Sequence, residues 1–125
     1  MGRVRENIRV NGKKWWTLFD TGARNTYVVP GVASVLTTIK LRKPFRSALG
    51  GGVKKATEGA LLDADVEGHK ILTHAMVVNE IGDDEDGKPI EILFGALAMQ
   101  QWGIRPIPDE GRLDLTHYPK EFVEF

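Results

Sequence analysis

One acidic residue stands at a position where its side chain could do chemistry. Asp20 follows a run of apolar and aromatic residues at 13–19 and is followed at once by Thr21 and Gly22. A glycine lets the backbone turn sharply and come close to a neighbouring chain or a ligand, and a threonine hydroxyl can fix such a loop by hydrogen bonds. The segment predicts a strand that delivers a carboxylate into a tight, apolar-flanked loop. The alternative interpretation is an ordinary turn that happens to contain an aspartate.

Most of the elements that must position this carboxylate are predicted to be strands. Residues 4–10 alternate loosely between apolar and polar and then meet Asn11-Gly12. Both of these residues tolerate positive φ, which makes the pair the strongest short signal for a β-hairpin, with 13–19 as the returning strand. Further strands are expected at 26–29, 60–66, 71–78 and 90–94, and a last hairpin over 105–115.

Two other segments bear on the fold class. Residues 32–39 fit either a short helix or a strand, whereas 96–102 are good helix formers followed by Gly103, a natural helix end. About eight short strands and one firm helix indicate a mostly β protein. A small closed or sandwiched barrel is the natural architecture for such a set of elements.

The length and composition of the chain exclude several classes of function. The chain of 125 residues has the length of one domain (1–125), and its 17 basic and 17 acidic residues give a formal net charge of zero. No strong field would therefore recruit nucleic acid or an anionic membrane. The sequence contains no cysteine, which excludes disulfides, thiol catalysis and cysteine-ligated zinc. With no long apolar run, the expected location is the cytoplasm.

Other segments that could bind a metal or cofactor do not match the patterns of known binding motifs. The acidic run 83–86 lacks acidic ligands at the first and twelfth positions of an EF-hand, so a solvated loop is expected. The glycine triplet at 50–52 is not followed by Gly-Lys-Ser/Thr and does not open a helix, which argues against a phosphate loop. The three histidines form no metal-ligand pattern. We expect neither a metal nor an organic cofactor.

Residues 18–23 resemble the active-site loop of the retropepsin-like aspartic proteases, in the form found in cellular, prokaryotic-type members. The shared pattern is an apolar strand followed by Asp-Thr-Gly-Ala. A second stretch, 91–99, is similar to the family's second signature, in which apolar residues precede a glycine and the start of a helix. The core of this second motif is Leu93, Phe94, Gly95 and Ala96. In that family the two segments cross and build the floor of the site.

A glycine-rich segment between the two motifs is similar to the tip of the family's flap, a hairpin that closes over the substrate. It consists of Leu49, Gly50, Gly51, Gly52 and Val53. With three motifs in the family's order, the resemblance covers residues 4–115. It implies a small closed β-barrel of the retropepsin type, with one short helix in its C-terminal half, that forms a homodimer.

The resemblance implies an aspartic endopeptidase that hydrolyses extended peptides. In this class two carboxylates share a proton, one acting as base on a water and the other as acid toward the carbonyl. The chain has a single Asp-Thr-Gly, so each of two chains must supply one Asp20 across a two-fold axis. Thr21 is expected to hydrogen-bond across that axis and Gly22 to approach the substrate backbone. Ala23, Arg24 and Asn25 are expected to contact substrate.

Two positions depart from the family's pattern. Viral members usually carry an acidic residue just after Asp-Thr-Gly-Ala and an arginine after the second glycine, where this chain has Arg24 and Ala96. Arg24 either pairs with an acid elsewhere or is a solvated charge, and Asn25 either contacts substrate or caps the turn. The alternative function is therefore a catalytically silent module that binds peptides. The tail, 117–125, either joins a dimer interface sheet or packs on its own chain.

Overall fold

The structure, a computed structural model, describes residues 2–121, and strands make up most of this part of the chain. Its nine strands are β1 Arg3–Val10, β2 Lys13–Asp20, β3 Tyr27–Val28, β4 Thr37–Leu49, β5 Gly52–Val66, β6 His69–Val77, β7 Ile92–Phe94, β8 Arg105–Ile107 and β9 Arg112–Asp114. Its helices are α1 Pro30–Ala33, α2 Ala96–Trp102 and one 3-10 turn at Pro108–Glu110. The mostly β class is confirmed. Within these residues, no helix has the length and apolar character needed to cross a membrane.

The expectation of one helix is wrong, because the ambiguous segment 32–39 divides between two elements. Its start belongs to α1, which has a proline at its first position, where the fixed φ suits a helix and the missing N–H costs nothing. Its end belongs to β4, which begins at Thr37. β5 is also much longer than the expected 60–66, because it starts at Gly52. Its first half is largely exposed, so the apolar alternation that marks a half-buried strand is missing there.

The first hairpin is formed as predicted. Asn11 and Gly12 both have positive φ, 53° and 77°, which is the combination that a tight two-residue turn between antiparallel strands requires. β1 and β2 then pair without interruption from Val10↔Lys13 to Arg3↔Asp20. The end of β2 is therefore supported on one side along its whole length.

The other side of β2 is covered by β7, and this arrangement builds the base of the site. The seven-stranded sheet has the order β1-β2-β7-β3-β6-β5-β4. β7 runs parallel to β2, with Phe19 opposite Phe94, and antiparallel to β3, with Tyr27 opposite Leu93. The strands before and after the Asp20 loop therefore flank the same short strand. In addition, β1 pairs with β5 through Arg9↔Asp65.

The apolar residues form two clusters, one on each side of these central strands. Phe19 and Phe94 are fully buried in the larger cluster, with ring centroids 4.9 Å apart. Leu18 and Leu93, their neighbours in sequence, belong to the second cluster, as strand alternation requires. Trp15 and Trp16 divide in the same way and therefore face opposite sides of β2.

The acidic loop contains one residue that is not solvated, which corrects the expectation for this segment. The Asp84 side chain is only 3% exposed, and its Oδ2 pairs with Arg5 Nη1 at 3.3 Å and accepts from Trp16 Nε1 at 2.8 Å. Its Oδ1 accepts from the backbone N–H groups of Lys88 and Asp86, both at 2.9 Å. The backbone bond from Lys88 is the main cause that lowers the pKa of Asp84 below its usual value. Asp84 therefore anchors the loop to the β1–β2 hairpin.

A carboxyl pair beside the β5–β6 turn predicts a pH-dependent stability. Partial burial, and next the charge of Glu67, raise the pKa of Glu6 on β1 to about 7. A carboxyl whose pKa is raised by folding is harder to ionise in the folded chain than in the unfolded one. The folded state therefore loses stability as the pH rises from 4.5, the pKa of the unfolded chain, to about 7, the pKa of the folded one. We expect Glu6→Gln to increase the free energy of unfolding at pH 8, and with it the thermal unfolding midpoint. The gain should be no more than about 1 kcal/mol, because solvent screens this half-exposed pair.

At pH 4 most of the gain from Glu6→Gln should be lost, because the glutamate is then mainly protonated in both states. Circular dichroism melts at the two pH values measure the difference. Glu58→Gln, at an exposed position of β5, is the matched control and should leave the midpoint unchanged at both. An equal gain for Glu6→Gln at pH 4 and pH 8 would show that charge at this position is not the cause.

Candidate active site

The loop that follows Asp20 is held against the start of α2. The backbone bonds that join them run from Ala96 N–H to Ala23 O at 2.7 Å and from Leu97 N–H to Arg24 O at 3.2 Å. Because both carbonyls belong to residues directly after Asp-Thr-Gly, the position of the loop is fixed by α2 as well as by β2. The structure therefore brings together the two segments that the sequence singled out.

Gly95 lies where the two segments cross, and no other residue fits there. A Cβ atom on Gly95 would lie 2.2 Å from the carbonyl oxygen of Asn25. The Gly95 N–H donates to Thr26 Oγ1 at 3.0 Å in a buried hydrogen bond. Thr26 was not among the residues picked from the sequence. A lone threonine at the start of a short strand carries no pattern that separates it from any other strand residue.

Asp20 is buried at the end of β2, and both of its carboxylate oxygens have a partner. The residue is 7% exposed and follows Leu18 and Phe19 in β2. Its Oδ1 accepts from Gly22 N–H at 2.8 Å. Its Oδ2 accepts from Arg3 Nε at 3.2 Å. The carboxylate is therefore oriented by its own loop on one side and by the neighbouring strand on the other.

Arg3 is a site residue that the sequence reasoning missed, although a signal was present. A two-residue turn at Asn11-Gly12 pairs each residue of β1 with the residue of β2 equally far from the turn, which puts Arg3 opposite Asp20. The Arg3 side chain is 50% exposed, whereas that of Asp20 is 9% exposed. The ion pair is thus formed at the solvent-facing edge of a buried acid.

Thr21 and Gly22 are exposed at the surface of the loop. The Thr21 N–H donates to Gly2 O at 2.9 Å, and the Thr21 hydroxyl donates to the same carbonyl at 3.3 Å. Within one chain the threonine therefore fastens the loop to the residue before β1. Its expected hydrogen bond across a two-fold axis stays a prediction.

The glycine-rich segment forms the tip of the β4–β5 hairpin. Gly50 and Gly51 have φ values of 54° and 84°, a turn that favours residues without a side chain. Leu49 is 8% exposed and belongs to the same apolar cluster as Leu18 and Leu93, whereas Val53 is 64% exposed. The base of the tip thus packs on the strands that carry the Asp20 loop.

A polar contact also joins this hairpin to the strand after the Asp20 loop. The Tyr27 hydroxyl donates to Ser47 Oγ at 2.7 Å, and Tyr27 itself is 4% exposed. Nothing in the sequence pairs these two residues, which are 20 positions apart. The contact ties one arm of the hairpin to the floor of the site.

Arg24 and Asn25 lie beside this floor. Arg24 is exposed and Asn25 half-buried, and both line a cavity of about 220 Å³. Within residues 2–121 no carboxylate forms an ion pair with Arg24, so the acid partner that the sequence left open is not found in this part of the chain. The same residues contain no group of three or more histidine, aspartate or glutamate side chains arranged as metal ligands.

Comparison with known proteins finds similarity in structure alone. No protein-family model and no curated protein sequence matches the chain. The retroviral protease-like domain of Ddi1 from Leishmania major aligns with a TM-score of 0.62 at 14% identity, over 93% of this chain and 90% of that one. EIAV protease, in complex with the inhibitor HBY-793, aligns with a TM-score of 0.56 at 16% identity, over 84% and 92% of the two chains.

A third similar structure is the foamy viral protease-reverse transcriptase in complex with an RNA/DNA hybrid. It aligns with a TM-score of 0.59 at 13% identity, and the match covers 85% of this chain but only 12% of the viral one. At these identities the likeness concerns the fold. The chain has the retropepsin-like fold of the retroviral proteases.

Proposed function

We propose that the chain is one protomer of a homodimeric aspartic endopeptidase in which two copies of Asp20, one from each chain, activate a water. The observation that carries this proposal is the state of Asp20 itself. It is a buried acid at the end of a strand, with its loop held against the start of α2 and one oxygen held by Gly22 N–H at 2.8 Å. A retropepsin-like fold with such a loop supports peptide hydrolysis.

The chemistry needs a second carboxylate, and a second copy of the chain is its proposed source. One carboxylate takes a proton from the water while the other, protonated, donates to the carbonyl oxygen of the scissile bond. Gly22 orients one oxygen of Asp20 without help from a partner. The half-exposed Arg3 guanidinium can turn toward solvent when the partner's carboxylate arrives, because a long side chain keeps that freedom at a surface.

The proposed substrate is an extended peptide that lies between the floor and the β4–β5 hairpin. Such a peptide gains main-chain hydrogen bonds from neighbouring backbone and specificity from its alternating side chains. Leu49 to Val53 form the proposed flap, with Gly50 and Gly51 at its turn. The β1–β5 contact at Arg9↔Asp65 supports the closed form of the barrel. The tail that the sequence offered for a dimer interface is 117–125. Its first part packs on its own chain, where the Tyr118 ring lies 4.6 Å from that of His69 and 6.0 Å from that of Trp102. Residues 122–125 lie outside the described residues, and a role for them in a dimer interface stays a prediction.

A combined sedimentation and peptide-library experiment between about pH 4 and pH 7 tests this function. We expect a dimer that cuts peptides and is blocked by a statine-type analogue of the tetrahedral intermediate. Dilution below the dimer dissociation constant should reduce the cleavage rate per chain. A strict monomer, or a dimer that cuts nothing in the library, would contradict the proposal.

One observation favours a second candidate, a peptide-binding module without catalysis. In the single chain Oδ2 of Asp20 is engaged by Arg3 Nε at 3.2 Å, on an oxygen that a catalytic water would need. If this ion pair persists in the dimer, the carboxylates cannot share a proton. The same experiment separates the two candidates, since the module would bind library peptides and release them intact.

A further inference from the structure

We infer that the cavity beside the Asp20 loop is a subsite for an acidic side chain of the bound peptide, with Arg24 as the residue that recognises it. This inference names a substrate class for the site of the proposed function and rests on that function for the presence of a peptide. It is carried by the make-up of the cavity, by the state of Arg24 and by the short separation of Arg24 from Asp20 in the sequence.

The cavity lies between the Asp20 loop, β6 and α2 and has a volume of about 220 Å³. Among its lining residues, Arg24, Asn25, Thr73 and Gln101 have side chains that can donate hydrogen bonds. Ala75, Met76, Leu97 and Ala98 supply an apolar part of the lining. His74 adds a ring N–H that can donate. No aspartate or glutamate is among the described residues that line it. A cavity rich in donors and free of carboxylates suits an anionic side chain.

Arg24 has a charge that the described chain does not neutralise. Arg3, Arg5 and Arg112 each form an ion pair with a carboxylate of this chain, whereas Arg24 forms none within residues 2–121, as is also true of Arg9, Arg42, Arg46 and Arg105. Among these unpaired arginines, Arg24 is the one that lines the cavity beside the Asp20 loop. A guanidinium presents a planar fork of N–H donors that matches the two oxygens of a carboxylate. Its backbone is fixed by the bond from Leu97 N–H to Arg24 O at 3.2 Å. Arg24 thus has a fixed backbone and a side chain without an ion-pair partner in the described chain, and at the edge of a cavity it can bind an incoming carboxylate.

The position of Arg24 limits which residue of the peptide it can reach. Arg24 follows Asp20 by four positions, so their Cα atoms are at most about 14 Å apart. An extended peptide advances about 3.3 Å per residue, so this span corresponds to about four residues. The acidic residue is therefore expected within about four positions of the bond that is cut.

A set of matched peptides tests the inference. A sequence chosen from the cleavage or binding library carries Glu, Gln or Lys in turn at each of the four positions on either side of the centre. For the wild type, kcat/KM is measured by cleavage. For the Asp20→Asn variant, Kd is measured by fluorescence anisotropy. At one position we expect Glu to be preferred over Gln by about fivefold, the upper range for a partly exposed ion pair.

Substitutions at Arg24 test whether this residue causes the preference for Glu. Arg24→Gln should remove the preference for Glu at that position, and Arg24→Glu should replace it with a preference for Lys. Arg9→Gln, which removes the same charge at an exposed position of β1, is the matched control and should keep the preference for Glu. A wild type that does not distinguish Glu from Gln at any position overturns the inference, as does a preference that survives both Arg24 substitutions.

The two measurements keep this inference separate from the proposed function. If the chain binds peptides with an Arg24-dependent preference for Glu but cuts none, the acidic subsite stands and the endopeptidase does not. If it cuts peptides without any preference for charge, the endopeptidase stands and the subsite does not.

Discussion

Asp20→Asn is expected to reduce peptide cleavage by about a thousandfold or more, the scale of losing a group that takes and gives protons in the transition state. Asparagine has nearly the same shape as aspartate but cannot exchange a proton at neutral pH. Because the change occurs in both chains of the dimer, both carboxylates are lost together. The initial rate of cleavage of a library-derived peptide, measured for wild type and variant at equal dimer concentration, checks the expectation.

The same substitution should leave the fold nearly unchanged. The side-chain oxygen of asparagine can still accept from Gly22 N–H, which holds Oδ1 of Asp20 in the wild type. Its amide would face Arg3 Nε as a second donor, and the half-exposed arginine can turn to solvent to avoid that contact. Sedimentation and thermal melts should therefore give the same dimer and a similar unfolding midpoint for the variant and the wild type.

Two controls make the result decisive. Asp63→Asn alters an exposed carboxylate on β5 and should keep full cleavage. An excess of the Asp20→Asn protein, mixed with wild type, should suppress wild-type cleavage, because mixed dimers contain one carboxylate instead of two. Persistent cleavage by the pure variant would show that Asp20 is not the catalytic acid, and a mixture without suppression would argue against a shared site.

The elements around Asp20 were predictable because local signals decide them. Asn11-Gly12 specifies a two-residue turn, which fixes the register of the first hairpin. Gly103 has the left-handed conformation, with φ of 65°, that ends α2 where the sequence indicated. These residues act through their own backbone preferences, so the rest of the chain does not alter the outcome.

The contacts that complete the site were not predictable in this way, because they join residues far apart in sequence. The buried bond from Gly95 N–H to Thr26 Oγ1 spans 69 positions, and Asp84 meets Trp16 across 68. Such pairs depend on which strands become neighbours, here β7 between β2 and β3. Arg3 is an intermediate case. The Asn11-Gly12 turn fixes its register opposite Asp20. The sequence does not show that Asp20 is buried, and it is this burial that makes the pairing with Arg3 matter for the site.

Gly95→Ala is expected to have a large effect on stability. The Cβ it adds would lie 2.2 Å and 2.6 Å from the carbonyl oxygen and carbon of Asn25, and 2.8 Å from the carbonyl oxygen of Arg24. All three are backbone atoms, so no side chain can rotate away, and the two segments must separate. We expect a loss of about 3 kcal/mol or more in the free energy of unfolding, measured by urea titration.

Gly31→Ala is the matched control for this loss, because it adds the same methyl group where space exists. The nearest atom to its Cβ would be Trp15 Cζ3 at 3.9 Å, and Gly31 lies within helix α1. Alanine is favoured over glycine in a helix by about 1 kcal/mol, so this variant should be as stable as the wild type or slightly more so. If Gly95→Ala unfolds at the wild-type urea midpoint, the two segments are not locked together at Gly95. If it is destabilised but folded at low urea, its cleavage should fall as well, because the bonds that position the Asp20 loop run through the same crossing.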